Sequence, residues 1–300
     1  MKKLFCLILV FSLLTINISY ASSIYYKDVK NSELQILLNK IDKNYDNPDV
    51  SSEVTNLPWR NDSKFLYSKE KYNTPILMAA YVAVLKNPLP GEEANVKHAA
   101  SMVKEKVIKP GDVFSQNKTI GPYTKERGFK EGSSYSAGKI VMSEGGGVCK
   151  IATTLYNLAV LSNLEIVERY NHSMPINYVP YGQDATVFYG SKDFRFKNTT
   201  DGNILIWSEL IGNKLYMGFY GTKNPPKVTW DHIITERREP GKKYIKNESL
   251  KKGEMIEKIK GLEGATVKST ITIEYLNGDI SVKNMGISRY NALPFIIETN

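Results

Sequence analysis

Gly145-Gly146-Gly147-Val148-Cys149-Lys150 is the stretch whose residue types speak most directly of chemistry. Three glycines reach backbone conformations closed to other residues and let other groups come close. They lead into apolar positions at helical spacing: Val148, Ile151, Leu155, Leu158 and Ala159. A cysteine in the first turn of such a helix meets free N–H groups and the positive end of the dipole, which favour a thiolate. The same amides can stabilise an oxyanion. His172 follows 23 residues after Cys149, just past a strand-like run, and Asp184 comes 12 residues later at the start of the next. The three types fit a nucleophile, a general base and an orienting carboxylate. Plainer readings stand beside this one. The glycines can simply make a tight loop with Cys149 packed as a small apolar residue, His172 can be a surface loop residue, and Asp184 a turn or cap.

Cysteine on a helix, histidine at a strand end and aspartate on a strand is also the order used by papain-like and transglutaminase-like folds. Thr153, Thr154 and Asn157 share the cysteine helix. They either bond back to its backbone or, with Gly145, Gly146 and Gly147, line a binding cleft. Tyr156, Tyr170, Tyr178, Tyr181 and Tyr189 make the region aromatic. Arg127, Lys130, Lys139 and Lys150 read as a basic rim or as ordinary solvated charge. The glycine run lacks the Gly-Lys-Ser/Thr ending of a phosphate loop. Two cysteines and three histidines, all scattered, lack metal-ligand spacing. No cofactor and no metal are therefore expected.

The elements that must position these residues follow from periodicity. Leu34 to Ile41 has roughly helical spacing, 42 to 63 reads as loop, and the Ala-rich run Pro75 to Leu85 reads as a helix with proline at its first position. A helix is predicted from Glu92 to Lys106, then a turn at Lys109-Pro110-Gly111-Asp112 and a short Val113-Phe114-Ser115. Residues 121 to 147 carry little regular pattern, and Val148 to Leu161 is the cysteine helix. Strand patterns follow over 165–170, 185–189, 193–197, 204–210 and 215–220. Two more, 265–276 and 279–284, flank Asn277-Gly278, a hairpin signal. The fold class predicted is α+β: helices before about residue 162, then an antiparallel sheet, with a small C-terminal β module.

Composition sets the frame. A chain of 300 residues with 42% apolar and 24% charged residues buries a core unaided and is neither disordered nor polytopic. Forty Lys+Arg against 31 Asp+Glu gives +9, which favours anionic partners but falls short of the basic stripe of a nucleic-acid binder. Lys2-Lys3, the apolar run Leu4 to Ile18 and Ser19-Tyr20-Ala21 read as a secretory signal with cleavage after Ala21. Removing residues 1–21 takes away two lysines and no acids, so +9 becomes +7, and Cys149 is left as the single cysteine of an exported chain. Contact with the membrane is expected only through this segment, if it is uncleaved.

The central stretch resembles the VanW family of exported, envelope-associated bacterial proteins. The likeness is carried by Glu93 to Lys97 with Ala99-Ala100, Lys109 to Ser115, Gly121-Pro122 with Arg127-Gly128-Phe129, Gly145 to Asn157, His172 to Pro175, Tyr178 to Val187, Asp193 to Asn198 and Gly221. The tail, through Gly261 to Val267 and Tyr290 to Ile297, resembles the small G-five type of β module. Lys150 stands where the family usually has Gln, and Ala152 where it usually has Ser. The family takes its name from an accessory gene of some glycopeptide-resistance clusters, so the resemblance implies a cell-envelope setting and no defined reaction. The expected organisation is a signal peptide at 1–21, an N-terminal helical region at 22–90, a VanW-like domain at 91–223 and the β module at 226–300. The expected role is action at or near peptidoglycan by Cys149-dependent acyl transfer or amide hydrolysis. The alternative is a non-catalytic module that binds peptidoglycan or another anionic wall polymer.

Overall fold

The computed structural model describes residues 45–86, 88, 91–136 and 139–300. The signal segment and the helical pattern at Leu34 to Ile41 lie outside the described residues. The centre is a five-stranded antiparallel sheet in the order β1 (Ser52–Glu53), β2 (Ile76–Val84), β10 (Lys214–Gly221), β9 (Ile204–Ile211), β3 (Lys106–Ile108). β9 and β10 are the hairpin that the alternation over 204–220 predicts, paired from Lys214 opposite Ile211 to Tyr220 opposite Leu205. Four helices lie among the described residues: α1 (Ser63–Lys71), α2 (Glu92–Val103), α3 (Gln116–Thr119) and α4 (Cys149–Leu161). α2 packs over β9, and α4 packs over β2 and β10. Every α4 residue from Ile151 to Leu161 is buried. An amphipathic surface helix shows one apolar stripe, whereas a helix enclosed on all sides is central to its core.

Around this layer stand a three-stranded sheet, β4 (Val113–Ser115), β8 (Arg195–Lys197), β7 (Glu165–Glu168), and the hairpin β5 (Glu131–Ser136) with β6 (Lys139–Glu144). The C-terminal part holds two more sheets. One is β11 (Lys227–Arg238), β14 (Gly264–Glu274), β15 (Ile280–Tyr290). The other is β12 (Lys242–Lys246), β16 (Phe295–Thr299), β13 (Met255–Ile259), with β12 and β16 parallel. Val228, Ile271 and Ile273 belong to the same apolar core as Leu155, Tyr156 and Phe194. Residues 46–300 accordingly form one compact unit. No helix among the described residues is long and apolar enough to cross a membrane.

The α+β expectation is corrected. The chain is mostly β, and six strands precede residue 162. The largest departure is Pro75 to Leu85, expected as a helix. Here Ile76–Val84 is a strand, hydrogen-bonded to β1 on one side and β10 on the other. Tyr81 to Val84 are all buried. A strand covered on both faces shows an unbroken apolar run, which periodicity cannot tell from a buried helix. The second departure is 121–147, expected without regular structure, where Glu131 pairs with Glu144 through to Ser136 with Lys139. Glycine and serine at those positions hide the alternation. The strand expected at 185–189 is reduced to single bridges, Tyr170 with Thr186 and Phe188 with Lys192.

Candidate active site

Cys149 is the first residue of α4, directly after the turn Gly145–Val148. Gly145 takes φ 72°, a left-handed conformation suited to glycine. A Cβ on Gly146 would lie 2.4 Å from the carbonyl carbon and oxygen of Gly132. The glycines therefore let the hairpin β5–β6 press against the start of α4. Gly147 packs the same way on Glu92. Gly146→Ala should destabilise the fold by about 1–3 kcal/mol, because both clashing groups are backbone and the hairpin must move. Thermal unfolding measures this, and an unchanged midpoint would contradict it.

His172 lies beyond the end of β7, half-buried, and its Nδ1 is 2.6 Å from Asp184 Oδ2. The His172 backbone N–H donates to the same oxygen at 2.7 Å. With Nδ1 committed to the carboxylate, the imidazole is near enough to the Cys149 thiol for each group to shift the other's titration. Cys149 Sγ also lies 3.4 Å from Thr186 Oγ1 and accepts the Val187 N–H at 3.5 Å. The structure thus brings Cys149, His172 and Asp184 into one neighbourhood, with His172 and Asp184 directly bonded.

The electrostatics follow from those contacts. Burial pushes the Cys149 thiol up, but the His172 hydrogen bond and charge, then Thr186 and the Val187 N–H, bring it down to about 7. Burial pushes His172 down, and the hydrogen bonds and charges of Asp184 and Cys149 overcome it, raising the imidazole to about 9. Burial likewise works against ionised Asp184, yet the His172 contacts and the Arg169 charge hold the carboxyl below its usual range. A lowered thiol beside a raised imidazole is a thiolate–imidazolium pair near neutral pH.

Of the two readings of Thr153, Thr154 and Asn157, bonding back to the helix backbone describes Thr154 and, through Thr153 O at 2.8 Å, Asn157. All three are fully buried. Thr153 Oγ1 donates to the Ala185 carbonyl and accepts the Ala185 N–H, both at 3.0 Å. Asn157 Nδ2 donates to Gln183 O at 2.8 Å, and Thr154 bonds back to Lys150 O at 2.7 Å. Thr153 and Asn157 therefore clamp the segment that carries Asp184 onto α4. Lys150 forms an ion pair with Glu92 and lies 4.6 Å from the centre of the Tyr178 ring. Among the described residues no group of three His, Cys, Asp or Glu is placed to hold a metal ion.

Sequence reasoning missed Arg169 and Tyr290. Arg169 reaches Asp184 Oδ1 at 3.0 Å, the Asp184 carbonyl at 2.7 Å and Gly182 O at 3.2 Å. Tyr290, at the end of β15, donates to Asp184 Oδ1 at 2.5 Å. Position three residues before a strand-end histidine was the one available signal for Arg169. Tyr290 lies 106 residues from its partner, and no local pattern marks it.

Residues 91–220 match a family model described as VanW like protein. The chain carries a VanW-like domain. That domain holds all three residues of the Cys149–His172–Asp184 line, and it takes β2 from the preceding segment into its central sheet. The chain is 32% identical over 145 residues to the uncharacterized protein YoaR of Bacillus subtilis (strain 168), covering 48% of each chain. It is 29% identical over 136 residues to the vancomycin B-type resistance protein VanW of Enterococcus faecalis (strain ATCC 700802 / V583), covering 44% of this chain and 50% of that one. The match thus spans about half the length of these curated relatives. Among solved structures, an IgA1 protease G5 domain is similar over 27% of this chain and 96% of its own, at 18% identity and a TM-score of 0.17.

Proposed function

We propose that the VanW-like domain is a cysteine-dependent acyl-transfer enzyme of the cell envelope, working as an acyl transferase or an amidase. The observation that carries this is the His172–Asp184 hydrogen bond next to the Cys149 thiol at the start of α4, with the thiol lowered and the imidazole raised. In this reading Sγ attacks a substrate carbonyl carbon and a C–S bond forms. The Cys149 N–H, outside the intrahelical ladder at the start of α4, faces the developing oxyanion. The His172 proton passes to the leaving nitrogen as the C–N bond breaks. Water or a second amine, deprotonated by His172, then releases the acyl group. The N-terminal signal pattern and the kinship with a vancomycin resistance protein support export and a wall-derived peptide as substrate. Peptidoglycan or another anionic wall polymer is the proposed partner, matched by the chain's positive charge.

A second reading, a non-catalytic wall-binding module, is favoured by Phe188 and Tyr189. They directly follow the residues that touch the thiol, and are 70% and 51% exposed. Intact-mass analysis after incubation with muropeptides bearing stem peptides separates the two. Acyl transfer yields a hydroxylamine-labile adduct on Cys149 that Cys149→Ala lacks. Retained muropeptides with neither adduct nor Cys149-dependent product would leave the binding module.

A further inference from the structure

We propose that Tyr290 is a positioning residue of this site, so that the C-terminal β module completes the Cys149–His172–Asp184 line. The inference rests on the acyl-transfer reading and adds a requirement to it. Tyr290 is 1% exposed, and its hydroxyl accepts the Gly182 N–H at 2.8 Å while donating to Asp184 Oδ1 at 2.5 Å. Burial, then the Asp184 charge, holds that hydroxyl above its usual value, so it stays protonated and remains a donor.

Neighbouring bonds cross between the same two parts of the chain. Arg169 Nη1 donates to Ser288 Oγ at 2.9 Å. Asn171 Nδ2 donates to the Arg289 carbonyl at 2.9 Å, and the Asn291 N–H donates to the Ser173 carbonyl at 2.8 Å. Residues 169 to 173, with His172 among them, are thus strung along the end of β15. This arrangement goes well beyond a module that merely grips the wall.

The chemical reason for a tyrosine lies in the competition for one carboxylate. Asp184 Oδ2 takes both His172 N–H groups, while Oδ1 is shared by Arg169 and Tyr290. Arg169 presents a fork of donors that favours a bidentate carboxylate pair. The Tyr290 hydroxyl occupies Oδ1 from another side and keeps the carboxylate turned so that Oδ2 faces His172. Without it, Asp184 turns toward Arg169 and the imidazole loses its hold.

Tyr290→Phe in the full chain tests this, because it removes one oxygen and keeps the buried ring. The readout is the pH dependence of Cys149 alkylation by iodoacetamide, with unfolding followed separately. The wild-type midpoint is expected near 7. The variant's midpoint should move upward and its rate at pH 7 should fall several-fold, up to about tenfold for a hydrogen bond to a charged group. At pH 10, where the thiol is ionised in both, the deficit should vanish and the variant should be at least as fast, because a more basic thiolate is more nucleophilic. A purely structural hydroxyl would change unfolding and leave the midpoint in place. Ser288→Ala, which loosens Arg169 and spares the tyrosine ring, should give a smaller shift in the same direction, and it keeps the test decisive if Tyr290→Phe does not fold. A wild-type midpoint near 7 that neither variant raises overturns the role of Tyr290 alone. An ordinary wild-type midpoint near 9 overturns the acyl-transfer reading itself.

Discussion

His172→Gln should cut acyl transfer about 10²–10⁴-fold, the usual loss when a positioned acid–base group is removed, while alkylation of Cys149 at pH 7 falls far less. The inequality is the diagnostic part. With the thiol near 7, about half of Cys149 is thiolate at neutral pH. Without the His172 hydrogen bond and charge, burial dominates and the thiol returns to its ordinary range or above it, leaving roughly 1–3% ionised. The lost thiolate is partly offset because a more basic thiolate is more nucleophilic, by about 0.4–0.5 log units per pKa unit. Alkylation, which asks nothing of an acid, should therefore drop only about threefold to eightfold. Acyl transfer also needs a proton delivered to the leaving nitrogen, which glutamine cannot do. In the wild type the rate should rise as pH passes about 7, where the thiol ionises, and fall above about 9, where the imidazolium loses its proton. Both limbs belong to the coupled pair. The variant should lack the upper limb and have its lower limb moved upward. Rates measured from pH 5 to 10 check this, and equal losses in the two reactions would contradict it.

What the sequence made legible follows a physical line. The cysteine helix, the β9–β10 hairpin and the Asn277-Gly278 turn are local patterns, and each stands where periodicity places it. The trio Cys149, His172 and Asp184 was nameable because nucleophile, base and carboxylate are distinctive residue types. β2 was not legible, since a strand enclosed on both faces loses the alternation that marks strands. Thr153 and Asn157 are polar residues on a helix, which suggests bonds back to its backbone or a cleft. Only the structure reveals that their partners are the backbone of 183 and 185. Arg169 and Tyr290 matter through what they touch across the fold, and residue type alone gives no hint of that.

Asp184→Ala should be the most destabilising single change at the site, costing about 3–5 kcal/mol, because it strips the partner from a buried cation. Asp184 is 1% exposed and the Arg169 side chain 12% exposed. Arg169 keeps the Ser288 hydroxyl and the carbonyls of 182 and 184, none of which carries charge. Its guanidinium also lies 5.0 Å from the centre of the Tyr156 ring, in the heart of the core. The Tyr290 hydroxyl and the His172 backbone N–H lose their acceptor in the same step. Asp184→Asn keeps the shape and one acceptor oxygen, so it should cost less in stability while still weakening the hold on His172. A double-mutant cycle supplies the check: Arg169→Met removes the stranded charge, so Asp184→Ala with Arg169→Met should be more stable than the sum of the single losses. The pH dependence has a definite sign. The folded carboxyl lies below its unfolded value of 3.8, so its contribution is complete above that pH and is lost as pH falls through the lowered folded value. The stability gap between wild type and Asp184→Asn, read by urea unfolding, should therefore narrow as pH falls below 3.8, while from pH 7 to 5 it should grow, because only the wild-type fold holds the imidazole raised to about 9. A gap that failed to narrow below 3.8 would mean that Asp184 is not held ionised by His172 and Arg169.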